Sequence, residues 1–131
     1  MRVVFLGAAN PEAKRMILAV QRVQPNFEVI GFIDNDPSKK GTAFLGYPVF
    51  GGFDAIPDLL DDDIRFVNLI TGSTLIRYET SRRMAELGCQ FTNFVHPDVD
   101  LTMTEMGVGN YIQDHVIIQA GAKIGNNCSI H

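Results

Sequence analysis

Apolar positions along the chain follow three successive rhythms. RVVFLG, residues 2–7, is a short continuous apolar run ending in glycine, the pattern of a parallel strand covered by helices on both faces. Ala13, Met16, Ile17, Val20 and Val23 then recur at helical spacing, which predicts an amphipathic helix over 11–24. Asn10 is placed to cap that helix, Pro11 suits its first position, and Glu12 favours its positive end. FEVIGFID, residues 27–34, reads as a second strand. Strand, helix and strand together make a βαβ unit, whose crossover is right-handed.

NDPSKKGTAFLGYPVFGG, residues 35–52, is dense in turn formers and predicts a loop with a short strand at Tyr47–Phe50. FDAIPDLLDDD is a short helix at best, because Pro57 interrupts it. RFVNLIT at 65–71 is a third buried strand, and Ser73 or Thr74 caps the helix that follows. That helix carries Leu75, Ile76, Met84 and Leu87 and stops at Gly88. QFTNFV at 90–95 is a fourth strand. The expected fold class is therefore α/β: a small Rossmann-like parallel sheet with helices on both faces, spanning residues 1–95.

After His96-Pro97 the helical rhythm gives way to a period of six. From Met106 the text divides into MGVGNY, IQDHVI, IQAGAK, IGNNCS and IH. Isoleucines stand at 112, 118, 124 and 130, with Val116, Ala122 and Cys128 at the fifth place of successive blocks. Hexads of this kind build a parallel β-helix in which one isoleucine per side points inward. Residues 96–131 are expected to supply its first one to two coils, too few to close the stack.

Composition narrows the function. Apolar residues make up 46% of the 131 and charged residues 20%, so a packed core is expected and disorder is not. A net charge of −4 attracts neither nucleic acid nor an anionic membrane. Lys39/Lys40 and Arg82/Arg83 form no basic stripe and read as solvated charges. The two cysteines, Cys89 and Cys128, read as free thiols in a reducing compartment. No apolar stretch approaches the roughly 20 residues that span a bilayer, and a soluble cytoplasmic protein is the expectation.

The first βα turn, GAANPE, lies where a doubly wound sheet binds nucleotides. It lacks the dinucleotide fingerprint, since Ala9 and Glu12 replace the second and third glycines. Asp34 closes the second strand, 27 residues after Gly7, as a receiver of a ribose hydroxyl or as a turn former in DNDPS. Gly72 and Ser73 tip the third strand, facing the same crevice or simply starting a helix. Their convergence on one sheet edge points to a sugar nucleotide or similar ligand. His96 reads as structural, His115 as outward-facing and His131 as frayed. Asp61, Asp62 and Asp63 read as a solvated run. No metal-ligand spacing or catalytic constellation is present.

RVVFLGAAN, VIGFIDNDPSKKGTAFLGYPVFGG, NFVHPDVDL and MGVGNYIQDHVIIQAGAKIGNNCSIH, in that order, cover essentially the whole chain. Together they resemble the bacterial sugar O- and N-acetyltransferases of the NeuD/PglD type. The resemblance implies a nucleotide-sugar-binding domain followed by a left-handed β-helix. It also implies a homotrimer, and acetyl-CoA held between neighbouring β-helices. Carried over by position, the substrate-binding turn falls on Gly7, Ala8, Ala9 and Asn10, the acidic pair on Asp34 and Asn35, and the third loop on Gly72 and Ser73.

The substrate implied is a UDP- or GDP-linked sugar. The family's general base is a histidine in an HD or HE pair of the β-helix. No such pair occurs in this chain, and by hexad register that histidine falls about seven residues beyond His131. No catalytic residue is assigned, the acetyl-CoA-binding coils are expected further on, and residues 1–131 alone are expected to be inactive. A non-catalytic sugar-nucleotide-binding module is the alternative, and an NAD- or CoA-sensing Rossmann domain a weaker one.

Overall fold

The computed structural model describes residues 1–131. Its centre is a parallel sheet of three strands, β1 (Arg2–Leu6), β2 (Glu28–Ile33) and β5 (Ile64–Asn68), in the order β2-β1-β5. Two isolated parallel bridges widen it, Phe32 to Val49 at one edge and Phe66 to Phe91 at the other. Val3, Val4, Phe5 and Leu6 are all buried because β1 lies mid-sheet. Alternate side chains leave β1 on opposite faces: Val3 and Phe5 join the core under α1 (Glu12–Val23), and Val4 and Leu6 join the core with Met84 of α2 (Thr74–Glu86).

Helix α1 follows the pattern read from the chain: Ala13, Met16, Ile17 and Val20 are buried. Asn10 Oδ1 accepts a hydrogen bond from the Glu12 amide at 2.9 Å, and Pro11 already has helical dihedrals. Helix α2 departs from it. Leu75 and Ile76 are 63% and 50% exposed, and the buried stripe is Arg77, Ser81 and Met84. The spacing is helical, yet two of its three members are polar. Asn68 of β5 explains this, since its side-chain amide donates to Ser81 Oγ at 3.0 Å and to Thr80 Oγ1 at 2.9 Å. An apolar side chain at those positions would leave the buried Asn68 unsatisfied.

Two loop expectations also change. Residues 43–48 form a hairpin, β3 (Ala43–Phe44) against β4 (Tyr47–Pro48), turned at Leu45 and Gly46. Both turn residues have positive φ, 54° and 85°, the turn whose twist matches a two-residue hairpin. Phe53–Leu59 winds as a 3-10 helix with Pro57 inside it. The strand expected at 90–95 splits in two. Phe91 touches the main sheet, whereas β6 (Phe94–Val95) pairs with β8 (Tyr111–Ile112).

Beyond β6 the chain runs as a ladder of two-residue parallel strands. β6, β8 and β10 (Ser129–Ile130) lie side by side, with Phe94 opposite Tyr111 and Tyr111 opposite Ser129. On a second side, β7 (Glu105–Met106) pairs with β9 (Lys123–Ile124). The partners Glu105 and Lys123 are eighteen residues apart, which is three hexads. Ile112 is fully buried, Ile118, Ile124 and Ile130 are half-buried, and Ile117 beside the repeat is 91% exposed. Asparagines stitch the corners: Asn93 Oδ1 accepts from the Asn110 amide, and Asn110 Oδ1 accepts from the Cys128 amide.

One core spans both halves. The Phe94 ring lies 4.9 Å from Phe5, stacks on Phe27 at 5.6 Å and stacks on Tyr111 at 5.6 Å. These aromatic contacts bury large apolar area with a fixed geometry, so the ladder starts from the same core that the sheet uses.

Two outcomes are expected. A Cβ on Gly31 would meet the Phe50 ring at 2.4 Å and the Pro48 carbonyl at 2.7 Å. Gly31→Ala should therefore lower stability in urea denaturation by about 1–3 kcal/mol, and an unchanged midpoint would contradict this packing. Burial pushes the Cys89 thiol up to about 12, whereas Cys128 is only half-buried. One thiol per chain should react rapidly with Ellman's reagent near about pH 8, and the second only after unfolding.

Candidate functional site

At the carboxyl edge of the sheet, the end of β1 is held from both sides. The Gly7 amide donates to Ile33 O at 2.9 Å, and the Leu69 amide donates to Leu6 O at 2.9 Å. Gly7 has φ of 106°, a conformation that glycine adopts at little cost. A Cβ there would meet Leu69 and Ile70 only at ordinary van der Waals distance, 3.7–3.8 Å, so the positive φ and not crowding is what calls for glycine. The turn Gly7–Asn10, the residues after β2 and the loop after β5 are thus drawn to one edge.

Asp34 is the anchor of this edge. Its Oδ2 accepts from the Ala8 amide at 2.9 Å, and its Oδ1 accepts from the Asp36 amide at 2.9 Å. Lys39 Nζ lies 3.4 Å from Oδ2 and donates to Ala8 O at 2.9 Å. The carboxylate and the ammonium together clamp Ala8, which is itself buried. Lys39 is therefore not the solvated charge that its sequence context suggests. Nothing in DPSKKG separates Lys39 from Lys40, which makes only a loose 3.8 Å pair with Asp54. The distinction comes from which side chain the 3-10 turn at Pro37–Lys39 aims at the sheet.

The other expected residues take varied places. Ala9 and Asn10 are exposed at the rim, and Asn10 is engaged with the Glu12 amide. Asn35 Oδ1 accepts from the Phe53 amide at 3.0 Å, bracing the following loop. Gly72 is open, with nothing within 4 Å of its Cβ position. Ser73 Oγ caps α2 by accepting from the Ile76 amide at 3.1 Å. Glu12 is paired with Arg15, which also reaches Asp114 at 3.4 Å. The repulsion that Glu12 would exert on a phosphate is thereby partly neutralised.

The eight residues share an edge but enclose no principal cavity. A cavity of about 520 Å³ opens beside them, between α2 and Asn126–His131, and Ser73 alone of the eight lines it. Another of about 620 Å³ lies between α1 and the His96-Pro97 turn, lined by Arg15, Arg22, Asp98 and Asp114 among others. His96 Nδ1 accepts from the Asp98 amide at 3.1 Å, His115 is 89% exposed in its side chain, and His131 is exposed. No group of three or more His, Cys, Asp or Glu side chains could hold a metal ion. No helix is long and apolar enough to cross a membrane.

Arg77 is the feature that sequence reading missed. It is 6% exposed. Its Nη1 donates to Asn68 O and Ile70 O, its Nε to Asn127 O, and its Nη2 to Gly109 O and Cys128 O, at 2.5–3.4 Å. All five N–H groups are thus spent on carbonyls from the tip of β5 and from two rungs of the ladder. Burial holds the guanidinium below its usual range. The nearest signal in the sequence is the 77, 81, 84 spacing, but an arginine on a helix ordinarily reads as exposed.

No protein-family model and no curated protein matches the chain. Solved structures do. A histidine-to-asparagine mutant of perosamine N-acetyltransferase from Caulobacter crescentus, in complex with CoA and GDP-perosamine, superposes with a TM-score of 0.81 at 28% identity. It matches 100% of this chain, which spans 60% of that one. PerB from Caulobacter crescentus, with the same ligands, gives 0.76 at 26% identity over 99% of this chain and 63% of its own. The acetyltransferase domain of PglB from Neisseria gonorrhoeae, with acetyl coenzyme A, shares the fold at 19% identity, with a TM-score of 0.72. The perosamine N-acetyltransferase is consistent with the NeuD/PglD-type resemblance carried by the sequence.

Removing the Arg77 guanidinium strands carbonyls from three segments. Arg77→Met should lower stability by about 3 kcal/mol, and Arg77→Lys should recover only part, because an ammonium has three donors and no fork. A loss below about 1 kcal/mol in urea denaturation would show that water replaces these bonds.

Proposed function

We propose that residues 1–131 form the substrate-binding portion of an acetyl-CoA-dependent acetyltransferase acting on a nucleotide-linked amino sugar. The observation that carries this reading is the match of the whole chain, at 28% identity and a TM-score of 0.81, to a protein solved with CoA and GDP-perosamine. The eighteen-residue ladder supports it, since three hexads per turn is the repeat of a left-handed β-helix. In this reading residues 1–95 bind the sugar nucleotide and residues 96–131 begin the β-helix. The protein works in the cytoplasm as a homotrimer, with acetyl-CoA between neighbouring β-helices.

The nucleotide is UDP or GDP, and its binding edge comprises Gly7, Ala8, Ala9, Asn10, Asp34, Asn35, Gly72 and Ser73. The geometry divides their work. Asp34 and Lys39 hold Ala8 and shape the turn, while Ala9, Asn10 and Gly72 leave the rim open to a ligand. Binding is the task assigned to these residues. Transfer itself requires a general base of suitable pKa near the acceptor nitrogen or oxygen, and no residue of 1–131 is assigned that role. A chain that binds the sugar nucleotide without transfer is the alternative. An NAD-binding domain is disfavoured by Ala9 and Glu12 at the fingerprint positions.

Calorimetry on residues 1–131 separates these readings. GDP or UDP should bind, and NAD should bind at least about tenfold more weakly, a difference of about 1.4 kcal/mol. Tight NAD binding with no response to either nucleoside diphosphate would sink the sugar-nucleotide reading.

A further inference from the structure

The cavity of about 620 Å³ between α1 and the His96-Pro97 turn lies apart from the carboxyl edge, since none of the eight residues expected there lines it. Its walls bring unlike charges together without letting all of them pair. Arg15 and Asp114 meet at 3.4 Å, so their charges largely cancel. Arg22, in the last turn of α1, and Asp98, on the junction turn, line the same space but form no ion pair. Arg22 has no hydrogen-bond partner in the chain, and Asp98 is 68% exposed in its side chain. A donor fork and a carboxylate thus stand free on the walls of one hollow.

His96 fixes the polarity of the wall between them. Its Nδ1 accepts from the Asp98 amide at 3.1 Å, so the ring hydrogen stands on Nε2. That Nε2–H has no partner in the chain, although the side chain is only 14% exposed and lines the cavity. The same bond leaves the Asp98 carboxylate, 3.6 Å from Nδ1, without a hydrogen from the ring. Apolar surface completes the walls: Ala19, Pro97 and Val23, the last 61% exposed with no place in the core.

We propose that this cavity binds a small zwitterion of the α-amino-acid class that carries an apolar side chain. The ligand's carboxylate takes the Arg22 fork and the His96 Nε2–H. Its ammonium takes the Asp98 carboxylate, and the last carbonyls of α1, which ends at this cavity, favour the same positive charge. Its apolar body covers Ala19, Val23 and Pro97. A cavity of this size admits such a molecule. A polyanion is disfavoured here by Asp98 and Asp114, so the site goes beyond the carboxyl-edge reading and stands whether or not that edge binds a nucleotide.

The test is a nuclear magnetic resonance titration of residues 1–131 with L-leucine, following the His96 ring, the Arg22 Nε–H and the Val23 methyls. Two analogues keep the apolar body and one charge each: 4-methylpentanoate lacks the ammonium, and 3-methylbutylamine lacks the carboxylate. Leucine should shift all three sets of signals saturably, and each analogue should bind at least about tenfold more weakly. Arg22→Gln and Asp98→Asn are exposed changes that spare the fold. Arg22→Gln should weaken leucine and 4-methylpentanoate and leave the amine unaffected, whereas Asp98→Asn should weaken leucine and the amine and leave 4-methylpentanoate unaffected. No saturable shift with leucine at about ten millimolar overturns the site, as does leucine binding unchanged in both variants. Binding of 4-methylpentanoate as tight as that of leucine overturns the zwitterion assignment. A shift of Arg22 Nε–H on Asp98→Asn without ligand, together with no leucine binding, shows that the two charges pair directly and also overturns it.

Discussion

A guanidinium can be buried only where its five donors find acceptors, and the placement of Arg77 is the constraint on which the arrangement of the two halves depends. Its acceptors come from the tip of β5, from the corner at Gly109 and from the rung at Asn127 and Cys128. The Cys128 carbonyl also accepts from the Tyr111 amide at 2.8 Å, so Arg77 ties into the ladder's own hydrogen bonding as well as into carbonyls at the ends of strands. One side chain therefore closes the seam between sheet and ladder. On the opposite face of the sheet, the rings of Phe5, Phe27, Phe94 and Tyr111 close the same seam by packing. The ladder is held by a polar clamp on one side and an aromatic stack on the other.

The same economy shapes the carboxyl edge of the sheet. Asp34 occupies a position where an acid suits a ribose hydroxyl, but its oxygens are committed to Ala8, Asp36 and Lys39. It acts first as the tie that sets the Gly7–Asn10 turn. Under the proposed reading, a ligand at this edge would meet backbone and small side chains arranged by Asp34 and Lys39, more than the carboxylate itself. Preorganisation of this kind lowers the ordering cost of binding.

Much of this was legible along the chain. Continuous apolar runs marked the buried strands, the 13, 16, 17, 20 spacing marked α1, and the isoleucines at 112, 118, 124 and 130 marked the repeat. These signals are local, because each reflects one element burying one face. The exceptions share a cause. QFTNFV reads as one strand, but Phe91 and Phe94 serve different sheets. Leu75 and Ile76 read as core, but the adjoining face of β5 presents Asn68 and selects Ser81 and Arg77 instead. In each case the deciding partner lies far away in sequence or on another element, where periodicity carries no information.

The sequence by itself determined the α/β order, the hexad period and the family resemblance, since all three are written in the spacing of residues along one dimension. The tertiary structure alone decided that Lys39 and not Lys40 holds the Gly7–Asn10 turn, and that an arginine on α2 binds the ladder to the sheet. It also decided that the cavity of about 520 Å³ opens between α2 and Asn126–His131, with Ser73 alone of the eight expected residues on its wall. Burial and hydrogen-bond satisfaction depend on what surrounds a residue from every direction. For charged side chains that can be either solvated or clamped, only the assembled neighbours settle which state costs less free energy.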